Sequence, residues 1–246
     1  MLLLSNGRLV KTKKYRNPRY IGDPSNTVRI FNELEADEII ILDISATSSG
    51  RGPDFNLLKD IADEAFMPMA YGGGITSFSD AQRIFNIGFE KIVLNSAALQ
   101  NPILISEIVD VYGSQAVVVS IDVRQVRFLG VRVMSKQGRV RSKWCPKEWA
   151  IEAVKHGAGE LLITSVDREG MWSGLDIATI SSITQAVEVP VIAHGGIGNL
   201  DHLIEGLGQG EAHSIAIGSA IVFQKEGHGV LVNFRLKDEF LERNLG

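Results

Sequence analysis

Cysteine is almost absent from this sequence: Cys145 is alone among 246 residues. A single thiol makes neither an internal disulfide nor a Cys-x-x-Cys pair, which points to a reducing compartment, the cytoplasm. An excess of charge is missing too. The 25 Lys and Arg against 29 Asp and Glu leave −4 with histidines neutral, a balance that gives no reason to expect nucleic acid as a partner. No apolar run approaches the roughly 20 residues of a membrane span, and the first residues lack the basic, apolar and cleavage-site order of a signal peptide. His156, His202, His213 and His228 show no metal-ligand spacing, so neither a metal nor another cofactor is expected. Proline is scarce, at 7, whereas glycine reaches 25 and hydrophobic residues 45%. That composition suits a chain that buries a large core. Because α/β barrels use about 250 residues as one unit, residues 1–246 are expected to form one domain.

Short Ile- and Val-rich runs recur at residues 39–42, 92–94, 116–119, 161–163 and 215–217, without the alternation of a half-exposed sheet, as strands buried on both faces do. Helical spacing fills residues 54–66, 77–86, 102–112, 146–156, 176–186 and 200–208. This order implies right-handed crossovers and a parallel sheet. Residues 122 apart also match: Ala36 with Ala158, Glu38 with Glu160, Pro68 with Pro190, Gly73-Gly74 with Gly195-Gly196, Gly88 with Gly210. Two homologous halves of four βα units predict a closed (β/α)8 TIM barrel.

In such a barrel the chemistry sits at the carboxyl ends of the strands. Gly72-Gly73-Gly74, Asn95-Ser96-Ala97, Gly195-Gly196-Ile197-Gly198 and Gly218-Ser219-Ala220 fall there, after the third, fourth, seventh and eighth strands. Glycine lets backbone N–H groups approach an anion closely, so the four turns predict two phosphate sites on opposite sides of one mouth, although any one of them also serves as a tight turn. Two acid-free basic stretches, residues 8–19 and 124–143, read as loops overhanging that mouth and would draw in a polyanionic small substrate. Asp43, Asp122 and Asp167 end strands and are candidate general acids or bases, with turn capping the other reading, first of all for Asp43. His194, beside the seventh-strand glycines, is placed to line the site. Cys145, before Pro146 at a helix start, reads as structural.

The stretches Asn6 to Lys11, Gly22-Asp23-Pro24, Ala36-Asp37-Glu38, Leu42-Asp43-Ile44, Gly72 to Ile75, Asn95 to Ala98, Gly113 to Gln115, Ser120 to Asp122, Gly157 to Glu160, Ser165 to Arg168 and Gly195-Gly196 together resemble the cyclase subunit of imidazole glycerol phosphate synthase over nearly the whole chain. The resemblance implies a barrel that receives ammonia at its bottom from a glutaminase subunit and passes it through the core to a bis-phosphate at the mouth. It implies catalysis by Asp122, substrate and phosphate binding by Lys11, Gly73, Gly74, Asn95, Ser96, Asp167, Gly170, Gly195, Gly196, Gly218 and Ser219, and an ammonia gate of Glu38, Lys91 and Glu160. The gate's arginine would fall upstream of Met1, so the first strand is expected to be short.

The sequence departs from that pattern where the family's second aspartate, from the first strand, is replaced by Leu3. Leucine neither donates nor accepts a proton. Met171 after Gly170, His194, and the basic stretch after the first strand also differ. With Leu2-Leu3-Leu4 on the first strand, the chain looks like the divergent branch associated with amidination of surface-polysaccharide sugars. The expectation is an ammonia-passing synthase subunit of a two-component glutamine amidotransferase, with a phosphorylated or nucleotide-sugar acceptor and a separate sugar-amidating enzyme as a further partner. Its competitors are the histidine-pathway cyclase itself and a non-catalytic conduit that activates the glutaminase.

Overall fold

The computed structural model describes residues 1–223, 229–233 and 235–245. Its strands are β1 (Leu2–Ser5), β2 (Arg8–Lys13), β3 (Arg16–Gly22), β4 (Ile39–Asp43), β5 (Met69–Gly72), β6 (Lys91–Leu94), β7 (Val117–Val126), β8 (Gly130–Ser135), β9 (Val140–Arg141), β10 (Glu160–Ser165), β11 (Val191–His194) and β12 (Ser214–Ala216). Eight of them form one curled parallel sheet in the order β12-β11-β10-β7-β6-β5-β4-β1. Across the seam, the Met1 nitrogen donates to the Ile217 carbonyl at 2.7 Å. This is the expected TIM barrel, with a four-residue first strand.

The barrel strands β4, β5, β6, β10 and β11 are buried on both faces and alternate their side chains between them. Ile39 and Ile41 of β4 pack outward with the helices. Leu3, Ile40, Ala70, Val93, Val118, Leu162, Ile192 and Ala216 meet along the barrel axis as a separate apolar column. Helices cover the outside, and their starts carry the chemistry that begins helices. Asp54 and Asp176, 122 residues apart, each cap a helix by accepting from the backbone N–H three residues on. Ser77 and Asn199, at the same offset, cap Phe78–Ile87 and Leu200–Gly208 in the same way. The two halves therefore repeat in local geometry as well as in sequence. The helix Pro24–Glu33 completes the first unit; its signal was Asp23-Pro24, an N-cap followed by proline at the first turn.

The two basic stretches are not loops. Residues 8–22 form the antiparallel hairpin β2–β3. After 119 the fifth barrel strand continues to Val126 and turns back as β8, with β9 beside it. Leu9 to Thr12 of β2 are buried on both faces, whereas Arg16 to Tyr20 of β3 are exposed, so burial in the assembled fold, not a sequence period, separates this ribbon from a solvated loop.

Candidate active site

Asp122 lies near the carboxyl end of the barrel portion of β7, on the face that turns inward, and is 6% exposed. Its Oδ1 accepts the Tyr15 hydroxyl at 3.0 Å and, more weakly, the Ser120 hydroxyl at 3.4 Å. Burial pushes the carboxyl up to about 6, against the opposing pull of hydrogen bonds from Tyr15, Ser120 and Asn95. A carboxylate so placed changes protonation near neutral pH, as a general acid or base requires.

A cavity of about 140 Å³ opens beside Asp122, lined by Leu3, Tyr15, Asp43, Gly73, Gly74, Asn95, Ser96, Lys136 and Gln137 among others. Gly73 and Gly74 have φ of 119° and 72°, and a Cβ on Gly73 would stand 2.4 Å from the Asp43 carbonyl oxygen, so the tight turn demands glycine at that position. Asn95 Oδ1 is buried with no hydrogen-bond partner among the described residues. The Ser96 hydroxyl accepts from Lys136 N. Asp43 takes the capping role: its Oδ1 accepts from Ser45 N, Ser45 Oγ and Ala46 N.

Gly170, Gly195, Gly196, Gly218 and Ser219 gather with Lys11 and His194 on the other side of the mouth around a hollow of about 10 Å³, and Lys11, Gly170 and Ser219 also border a cavity of about 300 Å³ with Lys13, Asn17, Arg19 and Trp172. Lys11 is buried and its Nζ donates to the Met1 carbonyl at 2.7 Å. Burial lowers it to about 8, with Glu169 pulling the other way. His194 Nδ1 lies 3.3 Å from Thr164 Oγ1, and burial above all, with the Met1 amino group and Lys11 nearby, holds the ring well below its ordinary pKa and therefore neutral. Asp167 does not join either hollow. It accepts from Gln125 N and pairs with Arg124 Nε at 3.6 Å, fastening the β7–β8 ribbon.

At the opposite end of the bore, Lys91 bridges Glu38 at 2.9 Å and Glu160 at 2.8 Å. Burial alone would lower Lys91, but the bonds to Glu160 and Glu38 outweigh it and hold the ammonium charged. Glu38 Oε1 is buried without a hydrogen-bond partner among the described residues. Between this cluster and Asp122 runs the apolar column.

Residues 1–227 match the family model described as Histidine biosynthesis protein. The chain belongs to that family. A Pseudomonas aeruginosa protein provisionally named imidazole glycerol phosphate synthase subunit hisF2 is 43% identical over 233 residues, covering 95% of this chain and 93% of its own. A Leptospira interrogans protein provisionally named imidazole glycerol phosphate synthase subunit HisF is 39% identical over 242 residues, covering 97% and 94%.

Within this histidine biosynthesis family member, sequence reasoning missed two residues. Tyr15 reaches Asp122 from the turn of the β2–β3 hairpin, and Glu169 holds that turn. Glu169 accepts from Thr12 Oγ1 at 2.9 Å and from Tyr15 N at 3.0 Å, while its carbonyl accepts from Lys14 N. Burial raises the Glu169 carboxyl, and the hydrogen bonds from Tyr15 and Thr12 oppose that rise. The only trace of either in the sequence was an acid one residue before Gly170 and an aromatic inside a basic run. His156, His202 and His213 bond to Ser106, Gly198 N and Val191 N respectively. His228 lies outside the described residues. Cys145 caps the helix Pro146–Lys155. Among the described residues no group of His, Cys, Asp and Glu is placed to hold a metal ion, and no helix is long and apolar enough to cross a membrane.

Proposed function

We propose that the chain is the synthase subunit of a two-component glutamine amidotransferase. A glutaminase docks at the bottom of the barrel, and its ammonia passes the Glu38–Lys91–Glu160 cluster and the apolar bore to an acceptor at the mouth. The observation that carries this reading is the apolar column joining a charged cluster at one end to a buried carboxylate at the other. Neutral ammonia crosses such a bore at little cost, whereas ammonium would lose its hydration without repayment. At the mouth, the nitrogen adds to the carbon of a C=O group of the acceptor, whose π electrons pass to oxygen, and Asp122 carries the protons the nitrogen sheds to that oxygen, which leaves as water as the C=N bond forms. Asn95 Oδ1, an acceptor without a donor among the described residues, would accept a hydrogen bond from the incoming nitrogen in this reading.

The acceptor in this reading is a phosphorylated or nucleotide sugar of surface-polysaccharide synthesis, met together with a sugar-amidating enzyme, and Asp122, Lys11 and the glycine turns serve it. The histidine-pathway cyclase is the second reading, favoured by the family match. Against it stands Leu3, 1% exposed in the apolar column, where ring closure needs a second proton-transfer group. Such groups typically contribute about 10²–10⁴-fold. Adding the chain to a matched glutaminase should raise glutamate release, and the chain should fail to rescue a histidine-requiring strain that lacks its cyclase. Full rescue would restore the cyclase, whereas glutamate release by the chain alone, or no response from the glutaminase, would sink the conduit.

A further inference from the structure

The two ends of the barrel carry opposite charge. At the mouth end, residues 124–143 hold seven Lys and Arg and no acid, and among the described residues Arg124 alone of the seven pairs with an acid, Asp167. Arg127, Lys136, Arg139, Arg141 and Lys143 are exposed, and the β2–β3 hairpin adds exposed Lys14 and Arg16 at the same end. At the bottom, Glu35, Asp63, Glu64, Glu90, Glu188 and Glu211 stand in the turns ahead of β4, β5, β6, β11 and β12. The molecule is thus a dipole with its positive pole at the mouth, and a broad anionic surface turns such a dipole mouth first.

The tip of the β7–β8 hairpin is built against local preference. Phe128 takes φ 64°, a conformation that disfavours a bulky residue where glycine or asparagine would fit. Its ring is 90% exposed, with Leu129 exposed beside it, and it joins neither apolar cluster of the barrel. The Arg127 guanidinium lies 4.7 Å from the ring centre, so cation and ring are held side by side. Val126 and Gly130 pair across the base of the turn, and Leu129 N donates to the Val126 carbonyl at 3.1 Å, which fixes the tip outward. Water rewards neither the strained turn nor the exposed ring. An anionic bilayer rewards both, because it offers negative charge at its surface and apolar depth directly beneath. An acidic protein face would match the cations but would also need a pocket shaped for the ring.

We propose that the mouth end of the barrel docks on an anionic lipid surface, with Phe128 and Leu129 entering the headgroup layer and the cations of the β8–β9 ribbon on the lipid phosphates. The Glu38–Lys91–Glu160 end then faces away from the bilayer. The inference goes beyond the ammonia-passing reading and does not depend on it.

Sedimentation with sucrose-loaded vesicles tests it. In low salt the chain should pellet with vesicles of phosphatidylcholine and phosphatidylglycerol in equal parts and stay in solution with phosphatidylcholine alone. Salt at about 1 M, which shortens the Debye length to about 3 Å, should release it. Each cation at such a surface strengthens binding about fivefold, so Arg139→Glu/Arg141→Glu should weaken it about a hundredfold or more. Phe128→Ser should weaken it about tenfold. Lys59→Glu/Lys155→Glu, the same change of net charge on two outer helices, should change it little. All the substituted side chains are exposed, folding is checked by thermal melting, and either hairpin variant decides alone if the other fails to fold. The proposal is overturned if the chain does not pellet with the anionic vesicles in low salt, if it pellets equally with phosphatidylcholine, if the outer-helix control loses as much as Arg139→Glu/Arg141→Glu, or if Phe128→Ser binds as the wild type does. Retention on immobilised poly-L-glutamate without pelleting on vesicles would overturn it in favour of an acidic protein partner.

Discussion

Replacing Asp122 by asparagine should make the protein more stable at neutral pH while removing its candidate proton acceptor. In the fold, burial lifts the carboxyl from its ordinary 3.8 to about 6. The native state therefore holds a proton across that interval which the unfolded chain has released, and stability falls as pH rises through it. Above about pH 6 the full cost is present, and a rise of this size corresponds to about 3 kcal/mol. The substituted amide would be neutral throughout, and its carbonyl oxygen can still accept the Tyr15 hydroxyl. Urea unfolding of both proteins between about pH 4 and pH 8 should give nearly equal stabilities at the acid end. The variant should then gain an advantage that grows to about 3 kcal/mol by pH 7. Glu169, also raised by burial, titrates in both proteins, so the difference between them isolates Asp122. A difference that stays flat with pH, or a variant that loses ground as pH rises, would refute the assignment of a buried, ionising carboxylate.

Lys91→Met should leave Glu38 and Glu160 without their shared cation, costing about 1–3 kcal/mol in chemical denaturation because the cluster is only partly buried. It should also uncouple the glutaminase: a variant that still raises glutamate release as the wild type does would remove the cluster from the ammonia path. Gly196→Ala places a Cβ 2.1 Å from the Gly174 carbonyl oxygen at φ 107°, whereas Gly88→Ala at φ 119° meets nothing within 4 Å. Melting temperatures should show a loss of about 1 kcal/mol for Gly88→Ala and several for Gly196→Ala. Equal losses would mean that backbone strain, not close approach, fixes both glycines.

The barrel was legible in the sequence because its determinants are local. Runs such as Ile39 to Leu42 are apolar at every position since both faces of the strand are buried, and the 122-residue repeat placed the turns Gly73-Gly74 and Gly195-Gly196 at equivalent strand ends. Caps such as Asp54 and Asp176 act over three residues, so they too are written in sequence. The Glu38–Lys91–Glu160 cluster was accessible only through the family resemblance, and the fold brings the three together across 53 and 69 residues of chain. What occupies the mouth was decided by tertiary structure. Which side chains meet a glycine turn depends on distant segments: His194 stands beside Gly195 in the sequence, but nothing there encodes Lys11 meeting its ring at Gly218. Tyr15 meets Asp122 across 107 residues, and Glu169 fastens the hairpin turn from more than 150 residues away. The basic stretches showed charge but not shape, because a ribbon lying over a barrel and a loop in water expose the same cations. Burial alone distinguishes them, and burial belongs to the assembled fold.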